Sequence, residues 1–278
     1  MKNKFTLSIL TLIIICNNAI GDSIKFDTKY LEILKNENKI NAGKGKATSS
    51  DDKIEIFADS FQYDQNLDLL KANENGSAII KPKNVLITFD KATYNQKEST
   101  LIAKNKVKII HQDKNLIIQT DEIFYDKIKN LIKSDKTTRV IDEEKNIYTA
   151  DRFVLEIDKD LLKLINLKYL DSDNNNLKTP LAYINTNTGK LFGKDIVVNF
   201  DPKHLNSKNN PRLKGNSIIN DTEYAEIDKG IFTTCKKRDG CPPWQISAEK
   251  IKHDKKNKII YYDNALLKVY NIPVMYFP

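Results

Sequence analysis

An acidic residue returns at Asp59, Asp90, Asp121 and Asp151, at intervals of 31, 31 and 30 residues, each time inside the same phrase. Ala58-Asp59-Ser60-Phe61-Gln62-Tyr63-Asp64 recurs as Phe89-Asp90-Lys91-Ala92-Thr93-Tyr94-Asn95 and as Thr120-Asp121-Glu122-Ile123-Phe124-Tyr125-Asp126. Looser copies stand at Ala150 to Glu156 and Ala248 to Asp254. A fixed period of this length means a chain built from stacked units that bury their apolar faces only against one another. Within each unit a partly alternating stretch enters the phrase, a polar turn such as Asp64-Gln65-Asn66 follows, and a second stretch ends in an aliphatic pair. Those pairs are Ile79-Ile80, Ile109-Ile110 and Val140-Ile141. Short alternating runs bounded by Asn, Asp and Lys are hairpins, and helical spacing with caps is scarce.

Three architectures take β units of this size. A propeller blade needs four strands, more than about 30 residues hold. A parallel β-helix favours shorter coils and glycine-rich ladders, and the chain has only 9 glycines in 278 residues. What fits is an all-β, antiparallel, two-sheet jelly-roll: a curved slab lengthened by adding hairpins, with an interior between facing sheets and unpaired strands at its ends.

Lys2 and Lys4 followed by the apolar run Phe5–Cys16 read as a signal peptide over 1–21, with Ala19 and Gly21 at the small cleavage positions. The run is short for a membrane-spanning helix. An exported protein is therefore expected. Removing Lys2 and Lys4 from 45 basic residues against 37 acidic ones leaves a net charge of +6. The charges are interspersed rather than striped, so a nucleic-acid partner is not expected. Export leaves Cys235 and Cys241, an even pair that reads as a disulfide, either local or as half-bridges to partners elsewhere. Residues 22–50, with Gly43-Lys44-Gly45-Lys46 and Thr48-Ser49-Ser50, read as a flexible lead-in, and 51–270 as the β domain.

The repeated phrase, with Leu70-Lys71-Ala72-Asn73 and Leu101-Ile102-Ala103-Lys104-Asn105-Lys106-Val107 as its second half, resembles the organic-solvent-tolerance (OstA-like) family. That repeat is shared by periplasmic lipopolysaccharide-bridge proteins and by the periplasmic domain of the LPS-assembly protein LptD. The stretch Gly230-Ile231-Phe232-Thr233-Thr234-Cys235, Trp244-Gln245-Ile246-Ser247-Ala248 and Asn264 to Pro278 resembles the segment joining that LptD domain to its barrel. Residues 271–278 are then expected to begin a junction to a β-barrel absent from this chain. The resemblance implies lipopolysaccharide transport and outer-membrane assembly in the periplasm, without catalysis or cofactor. It implies as partners lipopolysaccharide through its lipid A acyl chains and an LptA-like bridge protein joined by edge-strand addition. Where a barrel is present, it adds an LptE-like plug lipoprotein. It also implies that the cysteines can bridge domain to barrel. A stand-alone LptA-like bridge is the alternative, and a polysaccharide-acting β-solenoid enzyme a more distant one.

A lipid carrier needs a long dry interior. Alternation points to Ile54, Ile56, Ala58, Phe61, Leu86, Thr88, Ala92, Ile118, Thr120 and Ile123 as its lining. A bulge at the repeated Asp would move a strand's set to the other face, and a closed sandwich core is an equal reading of the same residues. The repeated acids, one per unit, read as turn or edge chemistry. His111, His204 and His253 lack metal-ligand spacing. His253 stands where the repeats hold Tyr, which favours packing. No nucleophile, phosphate-loop or zinc-protease motif occurs. Trp244 after Pro242-Pro243 reads as an anchor at the domain's exit, and Pro273 and Pro278 exclude a regular central strand there.

Overall fold

The computed structural model describes residues 24–111, 116–143, 146–171, 174–201, 209–237 and 242–278. The signal peptide expected over 1–21, His204 and Cys241 lie outside them. Among the described residues the chain forms 23 strands and one 3-10 turn, Lys35–Glu37. The strands pair antiparallel, the long ones with their sequence neighbours, so an all-β slab built from hairpins is what the repeat produces.

Each long strand serves two half-sheets. It runs through one, bends, and continues in the other. These strands are β7 (Leu69–Ile80), β8 (Val85–Asn95), β9 (Thr100–His111) and β10 (Leu116–Asp126), and later β15 (Leu161–Leu170), β16 (Asn176–Asn185), β17 (Leu191–Asn199), β18 (Arg212–Asn220), β19 (Tyr224–Thr233) and β20 (Trp244–Asp254). Elsewhere the strand is broken at the bend. The upper half-sheet then holds β1 (Lys25–Thr28), β4 (Gly45–Thr48), β5 (Ile54–Ala58), β12 (Thr138–Ile141), β13 (Ile147–Ala150), β22 (Ala265–Val269) and β23 (Ile272–Phe277). The lower holds β2 (Leu31–Leu34), β3 (Lys39–Ala42), β6 (Ser60–Asp64), β11 (Leu131–Ser134), β14 (Arg152–Glu156) and β21 (Ile259–Asp263). The bends line up as a crease along one side of the slab. On the opposite side, the seam, every described connection turns back into its own half-sheet.

Two corrections to the sequence reading follow. From Lys25 to Thr48 the expected lead-in carries β1–β4, and β4 pairs with β5 from Gly45↔Ala58 to Thr48↔Glu55. Its glycines and lysines read as linker, but four-residue strands need only neighbours to pair with, and β5 and β6 supply them. The second concerns β8, where the buried residues are Val85, Ile87 and Phe89, then Ala92 and Tyr94. Leu86 and Thr88 therefore face outward. The ladder shifts register between Thr88 and Lys91, with the extra residues on the neighbouring strands, and the inward parity of β8 changes from odd to even across Asp90. β10 changes parity the same way between Thr120 and Glu122.

Over the expected junction segment, β23 pairs among the described residues with β22 alone, with a register shift at Lys268 opposite Pro273. A proline that cannot donate to a ladder is thus held at an edge strand and a bulge.

Candidate functional site

The interior between the half-sheets is lined by apolar rows on each. On the upper half-sheet, cross-strand pairs link Phe26, Ala47, Ile56, Ala78, Ile87, Ile109, Ile118, Val140 and Tyr148. The same row continues through Tyr169, Leu177, Val198, Leu213, Phe232, Ile246, Leu267 and Met275. It runs from β1 to β23 without a charged residue. Its lower counterpart near the crease is rich in small residues: Ala42, Phe61, Ala72, Ala92, Ala103 and Ile123, then Phe153, Leu164, Ala182, Gly193 and Ile218.

Eight of the ten residues expected inside are buried in this one core: Ile54, Ile56, Ala58, Phe61, Ala92, Ile118, Thr120 and Ile123. Leu86 and Thr88, on the outer face, are only half-buried. On β8 the sequence reading misses Val85, Ile87 and Phe89, and a change of parity across Asp90 is the signal that finds them. Over most of its length the interior is filled by its own side chains, with Ile54, Ile87 and Leu101 fully covered. At the carboxy-terminal mouth it opens: Leu267 and Tyr262 are half-buried, while Met275 and Ile260 are 53% and 51% exposed.

The repeated acids belong to the crease. Asp59 accepts from Asn75 Nδ2 at 2.5 Å, Asp151 from Asn166 Nδ2 at 2.8 Å and Glu249 from Asn264 Nδ2 at 2.8 Å, and Asp90 pairs with Lys106 at 3.5 Å. Each partner is left-handed, with φ of 48° at Asn75, 55° at Asn166, 51° at Asn264 and 52° at Lys106. Asn tolerates that backbone region better than most residues, and the facing acid fixes its side chain. Asp59, Asp90, Asp151 and Glu249 thus steady the bends of neighbouring strands. Among the described residues no group of three or more His, Cys, Asp or Glu is gathered to hold a metal.

The Tyr-Asp or Tyr-Asn ending of each phrase builds the seam turns. Asp64 Oδ1 accepts from Asn66 N and Leu67 N, Asn95 Oδ1 from Glu98 N, and Asp126 Oδ1 from Lys129 N, all at 3.0–3.1 Å. These are Asx turns. The turns then stack. Gln65, Gln96, Lys127, Ile157 and Thr186 donate their backbone N–H to the carbonyls of Asn38, Asp68, Ser99, Asn130 and Asp160, each at 2.8–3.0 Å. All five acceptors are left-handed, at φ 49–55°. The tyrosines reach from the interior to these turns. Tyr125 OH donates to Asn130 at 3.1 Å, Tyr94 OH accepts from Lys127 Nζ at 3.2 Å, and Tyr63 OH bonds Asp68. Burial raises the hydroxyl pKa of all three, so they stay neutral. His253, in the equivalent place of its unit, is half-buried, and burial and Lys255 push its pKa down.

Contacts that cross the seam include an ion pair between Lys127 Nζ, on the lower turn, and Asp51 Oδ2, on the upper, at 3.0 Å. Ser50 N donates to Gln96 Oε1 at 3.3 Å, and Lys83 stands 3.9 Å from Asp160. Burial disfavours the charge on Asp51, but hydrogen bonds from Ser49 and Lys127 outweigh it and hold the carboxyl below its ordinary value. At the far end, Trp244 packs edge-on against Phe232 with centroids 6.3 Å apart. The Cys235 thiol donates to the Trp244 carbonyl at 3.7 Å.

The description OstA-like protein belongs to a family model that matches residues 51–197, more than half of the chain. The chain belongs to the OstA-like family. The match takes in β5–β16 and most of β17, the stretch where the crease acids and stacked turns repeat most regularly. Comparison with curated proteins finds no match.

Proposed function

We propose that this OstA-like protein carries lipopolysaccharide, sheltering lipid A acyl chains between its half-sheets while they cross the periplasm toward the outer membrane. Family membership supports a role in lipopolysaccharide or periplasmic transport. The observation that carries the reading further is the uninterrupted apolar row from Phe26 to Met275, ending at an open mouth. Acyl chains lose about 0.8 kcal/mol for every CH₂ left in water, and a continuous row removes that penalty at each step. In this reading the protein is exported, is not an enzyme, and works beside the outer membrane.

The finer reading is a periplasmic domain of the LptD kind, which hands lipopolysaccharide to an outer-membrane translocon. It rests on the residues after Gly230, beyond the family match. The partner upstream is an LptA-like bridge protein adding a strand to β1 or β2, which pair only with β4 and β3 among the described residues. An LptE-like lipoprotein joins where a barrel is present. A stand-alone bridge would use the same row with β21 and β23 as its second docking edge.

The test is photo-crosslinking in cells with a probe amino acid at Phe61 or Ile123, both buried, and controls at the exposed Lys129 and the outward Leu86. Lipopolysaccharide adducts at the interior probes alone are expected. Adducts at neither interior position in a folded, exported protein would reduce the interior to a plain core.

A further inference from the structure

The interior is packed, so an acyl chain entering sideways needs the half-sheets to part. Among the described residues, one side of the slab lets them part. At the crease the backbone of ten strands passes from one half-sheet to the other, and bends are fixed by acid–amide bonds such as Asp59 to Asn75 and Asp151 to Asn166. At the seam no described connection crosses, and what joins the two sides there is side-chain contact. The Lys127–Asp51 pair stands out among those contacts. Lys127 is only 13% exposed, its Nζ also bonds Tyr94 OH at the end of an interior tyrosine, and Asp51 takes a 2.7 Å hydrogen bond from Ser49. Ser49 Oγ in turn accepts from Ile54 N at the start of β5. The pair therefore ties the first residues of an upper strand to the last of a lower one. At the carboxy-terminal mouth the rows are already exposed.

We infer that Lys127 and Asp51 form a clasp across the seam, which must part before an amphiphile enters the interior laterally between β5 and β10. The inference rests on the interior's taking acyl chains, as proposed above. With the Asp51 side chain 36% exposed, water screens the pair and keeps it weak, which suits a contact that has to open repeatedly. The crease then acts as the hinge, and the stacked turns keep each half-sheet whole while the gap widens.

The test uses the full chain with Lys127→Ala, Asp51→Asn and the charge swap Asp51→Lys with Lys127→Asp. Uptake is followed by fluorescence of N-phenyl-1-naphthylamine, an apolar dye, and by its displacement with purified lipopolysaccharide. Amide hydrogen exchange at 49–53 and 96–99 reports the seam without any lipid. The single variants are expected to take up dye about two- to fivefold faster and to exchange faster at both turns. The swap variant returns both readouts toward the native values. Unchanged exchange in the single variants, or a swap variant no slower than they are, overturns the clasp. Faster exchange that the swap reverses, with no uptake by any variant, keeps the clasp and removes the carrier reading alone.

Discussion

Gly76 lies opposite Phe89 on the next strand, just past the crease, with the Phe89 ring against its Cα. A Cβ built there would stand 2.1 Å from Phe89 Cε2 and 2.4 Å from Cδ2, well inside the 3.4 Å at which ordinary contact begins. Phe89 is 3% exposed and has nowhere to withdraw. Two effects oppose one another in Gly76→Ala. Overpacking a full core costs about 1–3 kcal/mol, while replacing a strand glycine returns about 0.5–1 kcal/mol of backbone entropy. The clash wins, and the variant is expected to unfold at lower denaturant with a net loss of about 1–2 kcal/mol. Phe89→Ala alone costs about 3–5 kcal/mol as a large-to-small core change. In that background the obstacle is gone, so adding Gly76→Ala is expected to be neutral or mildly stabilising. The sign of one substitution thus reverses with its neighbour, a non-additivity that a double-mutant cycle in guanidinium chloride measures directly. If Gly76→Ala destabilises equally in both backgrounds, the ring is not what excludes the methyl group.

The inward parity of β8 predicts that Ile87→Lys destabilises by more than about 4 kcal/mol, whereas Thr88→Lys stays within about 1 kcal/mol. A thermal melt that ranks them the other way would return Leu86 and Thr88 to the interior. The clasp has a pH signature. Asp51 titrates below its unfolded value of about 3.9, so its contribution is present above that value and fades as pH falls through the folded pKa. With the Asp51 side chain 36% exposed the contribution is no more than about 1 kcal/mol. Asp51→Asn is therefore expected to be less stable than the native chain at pH 7, with the gap closing as the pH falls below the ordinary carboxylate value. A gap that persists in acid would assign the effect to something other than the charge.

The repeat could be read from the sequence because two of its signals are local. An acid every 30 or 31 residues marks the crease, where Asp59, Asp90 and Asp151 each hold a left-handed partner. A Tyr followed by Asp or Asn marks the seam, since the turn needs an acceptor one residue past the last inward aromatic. What escaped was either a matter of phase or of distance. Alternation carried backward through Asp90 from Ala92 places Leu86 and Thr88 inside, and the register shift there inverts it. Residues 25–48 lacked strand composition yet form strands, because β5 and β6 offer open edges and pairing overrides a weak local preference. Lys127 and Asp51 lie far apart in sequence, and nothing near either one announces the other.

The stacked turns have a consequence for how long such a protein can be. Each turn accepts its hydrogen bond at the left-handed residue of one unit and donates to the unit before, and these acceptors recur at 38, 68, 99, 130 and 160. One period adds two strands to each half-sheet, about 10 Å of slab at normal strand spacing, and joins its neighbours through the same bonds wherever it falls. Length is therefore quantised. Excising the residues from 69 to 99 brings one left-handed carbonyl to where another stood, and should shorten the molecule by a step while leaving crease, seam and both ends in place. Gene duplication of a single hairpin pair would lengthen it just as cleanly, so the distance such a protein spans is written in the number of its units rather than in their sequence.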